Sequence, residues 1–369
     1  MKSYNIAVLP GDGIGPEVME VALRILDLVG QEFNIKFNCK KESFGGSSIE
    51  KYGTPLTEKT IRNCKKADSV LLGAVGGPQW ENEPHSKKPE QGLLKLRRSL
   101  GLYANLRPAK IYSPLLKASS LKPDVIRKVD VMVVRELTSG IYFGEPRGMD
   151  KKKGWNTLSY TREEVEQISH TAFKLARKRN NLVTSVHKSN VLESSQFWKD
   201  VVENVHKEYT DVTLNEMYVD NAAMQLVRDP KQFDVILTQN LFGDILSDIS
   251  AMITGSLGML PSASLGSKHS LYEPVHGTAP EIAGKNESNP LAMVASVAMM
   301  LDYTFNLPQA AQMIYDAINE VLELGYRTLD ISSENTTLVT TSVMRDLILE
   351  KCADKSDTII EIVRMSYEG

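Results

Sequence analysis

The chain has 369 residues, 42 % hydrophobic and 24 % charged, a globular composition long enough for two packed domains or one large α/β unit. Its 43 basic and 46 acidic residues leave a net charge of -3, which excludes the clustered basic surplus of a nucleic-acid-binding protein. Cys39, Cys64 and Cys352 form neither a CxxC pair nor a disulfide framework, so a reducing, cytoplasmic setting is expected.

Short β-rich runs alternate with helical patterns from end to end, which predicts an α/β architecture. No signal-peptide stretch precedes the first strand, Tyr4–Pro10. The turn Gly11-Asp12-Gly13-Ile14-Gly15-Pro16 follows, and Val18, Val21, Ala22 and Ile25 form the apolar stripe of a helix opened by Pro16. This turn is not a dinucleotide fingerprint, because Pro16 stands where G-x-G-x-x-G needs its last glycine. Ser69–Gly73 predicts a second strand, ending in a glycine-rich turn through Gly76 and Gly77.

Four more strands are expected over Asp130–Arg135, Leu182–His187, Leu214–Val219 and Asp234–Thr238. Between them, Gly140–Tyr160 carries Ile141, Tyr142, Phe143, Trp155 and Leu158 around a polar turn. An isolated hairpin is only marginally stable, so this reads as an arm packed on a second subunit, or else folded back on its own domain. The longest apolar stretch, Leu291–Leu301, is far short of the roughly 20 residues of a membrane span, so no membrane association is expected.

Candidate chemistry lies where the strands end. Arg135 closes one strand, Lys188 and Asp220 follow the next two, and the fourth runs into Asp244. Ligands of open α/β sheets collect beyond the carboxyl ends of strands, so these four charges are expected to converge on one ligand. Asp244 and Asp248 sit four apart in a helical pattern, hence on one face, with no basic residue between them. Paired carboxylates of this kind suit a hard cation such as magnesium or manganese, and Asp220 would complete the set. Arg97, in a helical stretch, and Arg107, in the extended segment before Pro108, would with Arg135 suit a substrate with two carboxylates; taken singly each reads as a surface ion pair, and spacing alone does not decide between the two.

These residues stand in longer motifs: Leu9-Pro-Gly-Asp-Gly-Ile-Gly-Pro-Glu17, Tyr103-Ala-Asn-Leu-Arg-Pro108, Val134-Arg-Glu-Leu-Thr138, Ile141 to Gly148, Asn240-Leu-Phe-Gly-Asp-Ile-Leu-Ser-Asp248 and His276-Gly-Thr-Ala-Pro280. Through them nearly the whole chain resembles the isocitrate/isopropylmalate dehydrogenase family of β-decarboxylating dehydrogenases. The resemblance implies a two-domain α/β fold outside the Rossmann class, with the active site in the interdomain cleft. Residues 1–102 and 255–369 would form the NAD-binding domain, and 103–254 a second, dimerising domain bearing the arm at 140–160. It further implies a homodimer with shared active sites.

By the same resemblance, Arg97, Arg107 and Arg135 hold the substrate carboxylates, and Asp244 and Asp248 bind the metal with Asp220 of the other subunit. Lys188, also from the other subunit, and Tyr142 act as the acid–base pair. NAD would lie along the stretches from Gly76 to Glu90 and from Gly277 to Asn289, through Gly77, Thr278 and Ala279, with adenosine near Ile14 and His276. Glu281 stands where the family usually has an aspartate; an acid there accepts from ribose hydroxyls and repels a 2′-phosphate, which favours NAD. Leu93 and Leu94, with Val191, resemble a pocket for an isopropyl branch, so 3-isopropylmalate is the expected substrate. A malate- or tartrate-type enzyme, or a non-redox protein binding a metal and a diacid, is the rival reading.

Overall fold

A computed structural model describes residues 1–367. Its principal strands, in chain order, are β1 (Lys2–Gly11), β2 (Ile35–Lys41), β3 (Ser69–Ala74), β4 (Leu102–Lys110), β5 (Asp130–Glu136), β6 (Gly144–Met149), β7 (Gly154–Thr157), β8 (Leu182–His187), β9 (Thr213–Tyr218), β10 (Val235–Thr238), β11 (Pro261–Gly266) and β12 (Ser270–Pro274). The chain divides into two compact units, one of residues 1–100, 256–263 and 268 onward, the other of residues 101–255 and 264–267.

In the first unit the strands lie in the order β2-β1-β3-β12, and β1 runs parallel to both its neighbours. Ile6, Ala7, Val8 and Leu9 are all at most 3 % exposed, as a strand covered on both faces requires. The helix Gly15–Glu32 buries Val18, Val21, Ala22, Ile25, Leu26 and Val29, the expected stripe and its continuation. Gly11 has φ +74°, and a Cβ there would lie 1.8 Å from the carbonyl oxygen of Ala74, so only glycine allows the turn this approach to β3. The apolar run at 291 is the helix Leu291–Tyr303, buried throughout Leu291–Leu301. Among the described residues no helix is long and apolar enough to cross a membrane.

In the second unit the order is β4-β5-β10-β8-β9. Strand β4 pairs antiparallel with β5, while β5, β10, β8 and β9 run parallel. The carboxyl ends of β5, β8 and β10 therefore open on the same edge. Strand β9 stops at Tyr218, one residue short of the expected end, because Val219 starts the helix Val219–Arg228 and carries Asp220 in its first turn. The segment at 140–160 forms a separate two-stranded antiparallel sheet of β6 and β7. Met149 is 86 % exposed and Trp155 38 % exposed on it.

Candidate active site

In the second unit, two arginines and two aspartates form one network. Arg107 lies in β4, and Arg135 lies on β5 opposite Asn105. Asp244, Ser247 and Asp248 share a face of the helix Asn240–Thr254, one turn in from its start. The Arg135 Nη1 donates to Asp244 Oδ1 at 2.5 Å, and its Nε donates to the Asn240 carbonyl at 2.8 Å. Arg107 donates to Asn105 Oδ1 and Ser247 Oγ at 2.7 and 2.8 Å, and stands 3.5 Å from both Asp244 and Asp248. Gly243 is needed for this packing, since a Cβ would sit 2.6 Å from Arg135 Cγ.

The Tyr142 hydroxyl donates to Asp244 Oδ2 at 2.9 Å. Burial, then the charge and hydrogen bond of Asp244, push its pKa up, so the phenol keeps its proton. Partial withdrawal from water also raises Asp248, whose side chain stays 60 % exposed, opposed by the charge of Arg107 and helped by that of Asp244. The cluster presents hard oxygen donors beside two guanidinium forks, which suits a divalent cation together with a carboxylate ligand.

Lys188 leaves the end of β8, and its Nζ donates to Asp220 Oδ1 at 2.6 Å. That bond holds the Asp220 carboxyl below the ordinary aspartate range. Among the described residues no three carboxylate, imidazole or thiol side chains gather into a metal site. Within one chain the four expected charges therefore form two couples, Arg135–Asp244 and Lys188–Asp220, and Asp220 is not gathered with Asp244 and Asp248. Val191 lies in the turn after Lys188 and is 63 % exposed.

In the first unit, Arg97 lies on the helix Pro89–Leu100. It is 8 % exposed, and its Nη2 donates to Glu273 Oε1 at 2.6 Å. Its Nε is buried without a partner, a donor left for a ligand. Leu93, one turn before Arg97, and Leu94 are half-buried. Glu273 went unread because a carboxylate 176 positions away leaves no local signal.

A cavity of about 340 Å³ opens in the same unit, lined by the expected Ile14, His276, Gly277, Ala279 and Asn289. Ile282 and Glu287, inside the expected stretch from Gly277 to Asn289, line it too, together with Leu257, Leu329 and Asp330, which the sequence did not indicate. Asp330 organises one wall, accepting from Ser256 Oγ at 2.6 Å and from Asn289 Nδ2 at 2.9 Å. His276 Nδ1 donates to the Gly277 carbonyl at 2.9 Å, and burial lowers the ring's pKa. The neutral ring thus keeps a lone pair on Nε2, which is buried without a partner. A ligand N–H, such as a purine amino group, would satisfy it.

Thr278 does not line the cavity; its carbonyl accepts from Ile14 N–H at 2.9 Å and ties two turns together. Glu281 is exposed outside the lining. Gly76 and Gly77 lie on a separate loop, where Glu90 comes close to Gly76. Asp12, not singled out from sequence, secures that loop: its carboxylate accepts from Gly46, Ser47 and Gly76 N–H groups at 2.8, 2.9 and 3.0 Å.

Solved structures give the class. The chain matches an isocitrate dehydrogenase from Methylococcus capsulatus with a TM-score of 0.84 and 33 % identity, over 95 % of this chain and 99 % of that one. It matches a β-decarboxylating dehydrogenase from Thermococcus kodakarensis with a TM-score of 0.78 and 33 % identity, over 95 % and 96 %. The fold is that of the β-decarboxylating dehydrogenases. Residues 5–348 match the family model described as isocitrate/isopropylmalate dehydrogenase. The 3-isopropylmalate dehydrogenase of Chlorobium chlorochromatii is 56 % identical over 349 residues, covering 95 % of this chain and 99 % of the relative. That of Aquifex aeolicus is 53 % identical over 354 residues, covering 95 % and 97 %. The chain belongs to the isocitrate/isopropylmalate dehydrogenase family.

Proposed function

We propose that the protein oxidises and decarboxylates (2R,3S)-3-isopropylmalate to 4-methyl-2-oxopentanoate and carbon dioxide, reducing NAD, as a cytoplasmic enzyme of leucine biosynthesis. The observation that carries the reading is the Arg107–Arg135–Asp244–Asp248 network with Tyr142 bonded into it. The names of the relatives select the substrate within the family.

Arg97, Arg107 and Arg135 hold the two substrate carboxylates. Asp244 and Asp248 hold magnesium or manganese with Asp220 from a partner subunit, and the cavity around His276 takes the adenosine of NAD, with Glu281 disfavouring a 2′-phosphate. Bound there, the cation supplies Lewis-acid polarisation of the substrate's oxygen and the nicotinamide accepts hydride. Lys188, also from the partner, takes the hydroxyl proton, and Tyr142 delivers a proton to the carbon that loses carbon dioxide. One proton is removed and one returned, so carbon dioxide and NADH are the only products besides the keto acid. Leu93, Leu94 and Val191 receive the isopropyl branch.

The homodimer is supported by Met224, Val227, Ile245 and Met252, apolar residues 47–60 % exposed on two adjoining helices of the second unit. The test is NADH formation from 3-isopropylmalate with magnesium, against malate and tartrate. Turnover of 3-isopropylmalate only is expected; preference for malate or tartrate rejects the substrate, and no turnover of any acid rejects the reaction.

A further inference from the structure

Lys188 must be presented from a turn, and that turn is closed on both sides. On the far side, the N–H groups of Val191 and Leu192 donate to the Lys188 carbonyl at 3.1 and 3.0 Å. On the near side stands His187, 2 % exposed at the end of β8. Its Nδ1 lies 3.3 Å from the backbone nitrogen of Ser189. Its Nε2 lies 2.5 Å from Glu216 Oε2 on β9, and the Tyr218 ring packs edge-on against it, 6.0 Å between centroids.

The two bonds assign the tautomer. A backbone N–H can only donate, so Nδ1 offers its lone pair to Ser189, and the ring hydrogen sits on Nε2, donating to the Glu216 carboxylate. The ring is neutral and both nitrogens are used. A latch that merely fastened β8 to β9 would need the Nε2–Glu216 bond alone. The Nδ1–Ser189 bond instead grips the residue immediately after Lys188.

We propose that His187 is a positioning residue for Lys188, its unprotonated Nδ1 fixing the Ser189 N–H and with it the turn from which the lysine reaches the substrate's proton. The inference deepens the proposed function and rests on the reading of Lys188 as the acid–base group. Lys188 and His187 are thereby each tied to the end of β9 and its following helix, through Asp220 and Glu216 respectively.

Two side-chain amides separate the bonds. Asparagine places an oxygen near the position of Nδ1, and so can still accept from Ser189; glutamine reaches the position of Nε2 and can still donate to Glu216, but leaves Ser189 without an acceptor. Misplacing a reacting group by ~1 Å can lower a rate about 100-fold. His187→Gln is therefore expected to lose roughly 10- to 100-fold in kcat, with KM for substrate and NAD within about twofold and an unchanged melting temperature. His187→Asn should retain most of the rate.

Equal losses in the two variants, or a normal kcat in His187→Gln, overturn the proposal. Nitrogen-15 spectra of the unaltered enzyme test it without any variant: the His187 resonances should report a bare Nδ1, and a protonated Nδ1 overturns it. Lys188→Met, run alongside, keeps the two readings apart. If it retains activity, the acid–base role of the lysine fails; if it is inactive while His187→Gln is normal, only the positioning role fails.

Discussion

Replacing Leu93 by alanine separates contact with the substrate branch from ordinary packing. Leu93 is half-buried, whereas Leu96, on the same helix, is 0 % exposed. Fully burying a leucine contributes about 1.5–3 kcal/mol. At most about a third of Leu93 is uncovered, so about 0.5–1 kcal/mol is left to gain from an isopropyl group, or roughly two- to sixfold in kcat/KM. Leu93→Ala should lose that factor on 3-isopropylmalate and spare malate, which has no branch to place. Its stability should fall by about 1–2 kcal/mol, from the part already packed. Leu96→Ala is the control: emptying a fully buried site should destabilise by about 2–5 kcal/mol and leave selectivity alone. Urea unfolding and kcat/KM on both acids make the comparison. If Leu93→Ala unfolds as early as Leu96→Ala and lowers both acids in proportion, Leu93 is a packing residue.

Asp248→Asn should lose magnesium activation with a near-normal unfolding midpoint, because its side chain is 60 % exposed and touches Arg107 only at 3.5 Å. Asp244→Asn should lose activation and also about 1–3 kcal/mol of stability, since the buried Arg135 and the half-buried Tyr142 both bond to that carboxylate; retained magnesium dependence in Asp248→Asn refutes the metal assignment. Mixing Lys188→Met subunits with Asp244→Asn subunits should restore activity, because one site of the mixed dimer keeps every native group. No recovery after demonstrated subunit exchange places Lys188 with its own chain's Asp244. Burial pushes the Glu136 carboxyl up from 4.5 to about 7 against its hydrogen bonds from Thr138 and Ser139. Between those values the folded chain keeps a proton the unfolded chain has released, so stability falls as pH rises across that window, by about 3 kcal/mol at most. Urea titrations should find this fall in the wild type and not in Glu136→Gln; parallel curves refute it.

Local periodicity made much of the chain legible. The stripe from Val18 to Ile25 and the β-branched runs of β5, β8 and β10 follow from side-chain spacing alone, as does the shared face of Asp244 and Asp248. Strand β2 went unread although Ile35, Phe37 and Cys39 alternate with polar residues, because at a sheet edge its pattern is mostly exposed and weakly apolar. The end of β9 was misplaced by one residue, since Val219 suits a strand as well as the helix it begins.

What spacing could not reveal is which distant charges meet. Arg97 finds Glu273, Asn289 finds Asp330, and Asp12 gathers N–H groups from two loops, across 176, 41 and up to 64 positions. Likewise, His187 meets Glu216 on the diagonal only because β8 and β9 run parallel in a register that sets His187 beside Tyr218 and Glu216 beside Ser185. A helix face repeats every few residues and is written into neighbouring positions. A contact between strands depends on how the intervening chain is folded, and on buried polar groups being matched once water is gone. The sequence by itself therefore determined most of the elements and the family; the tertiary structure alone decided how the ionisable groups are paired, oriented and held in their protonation state.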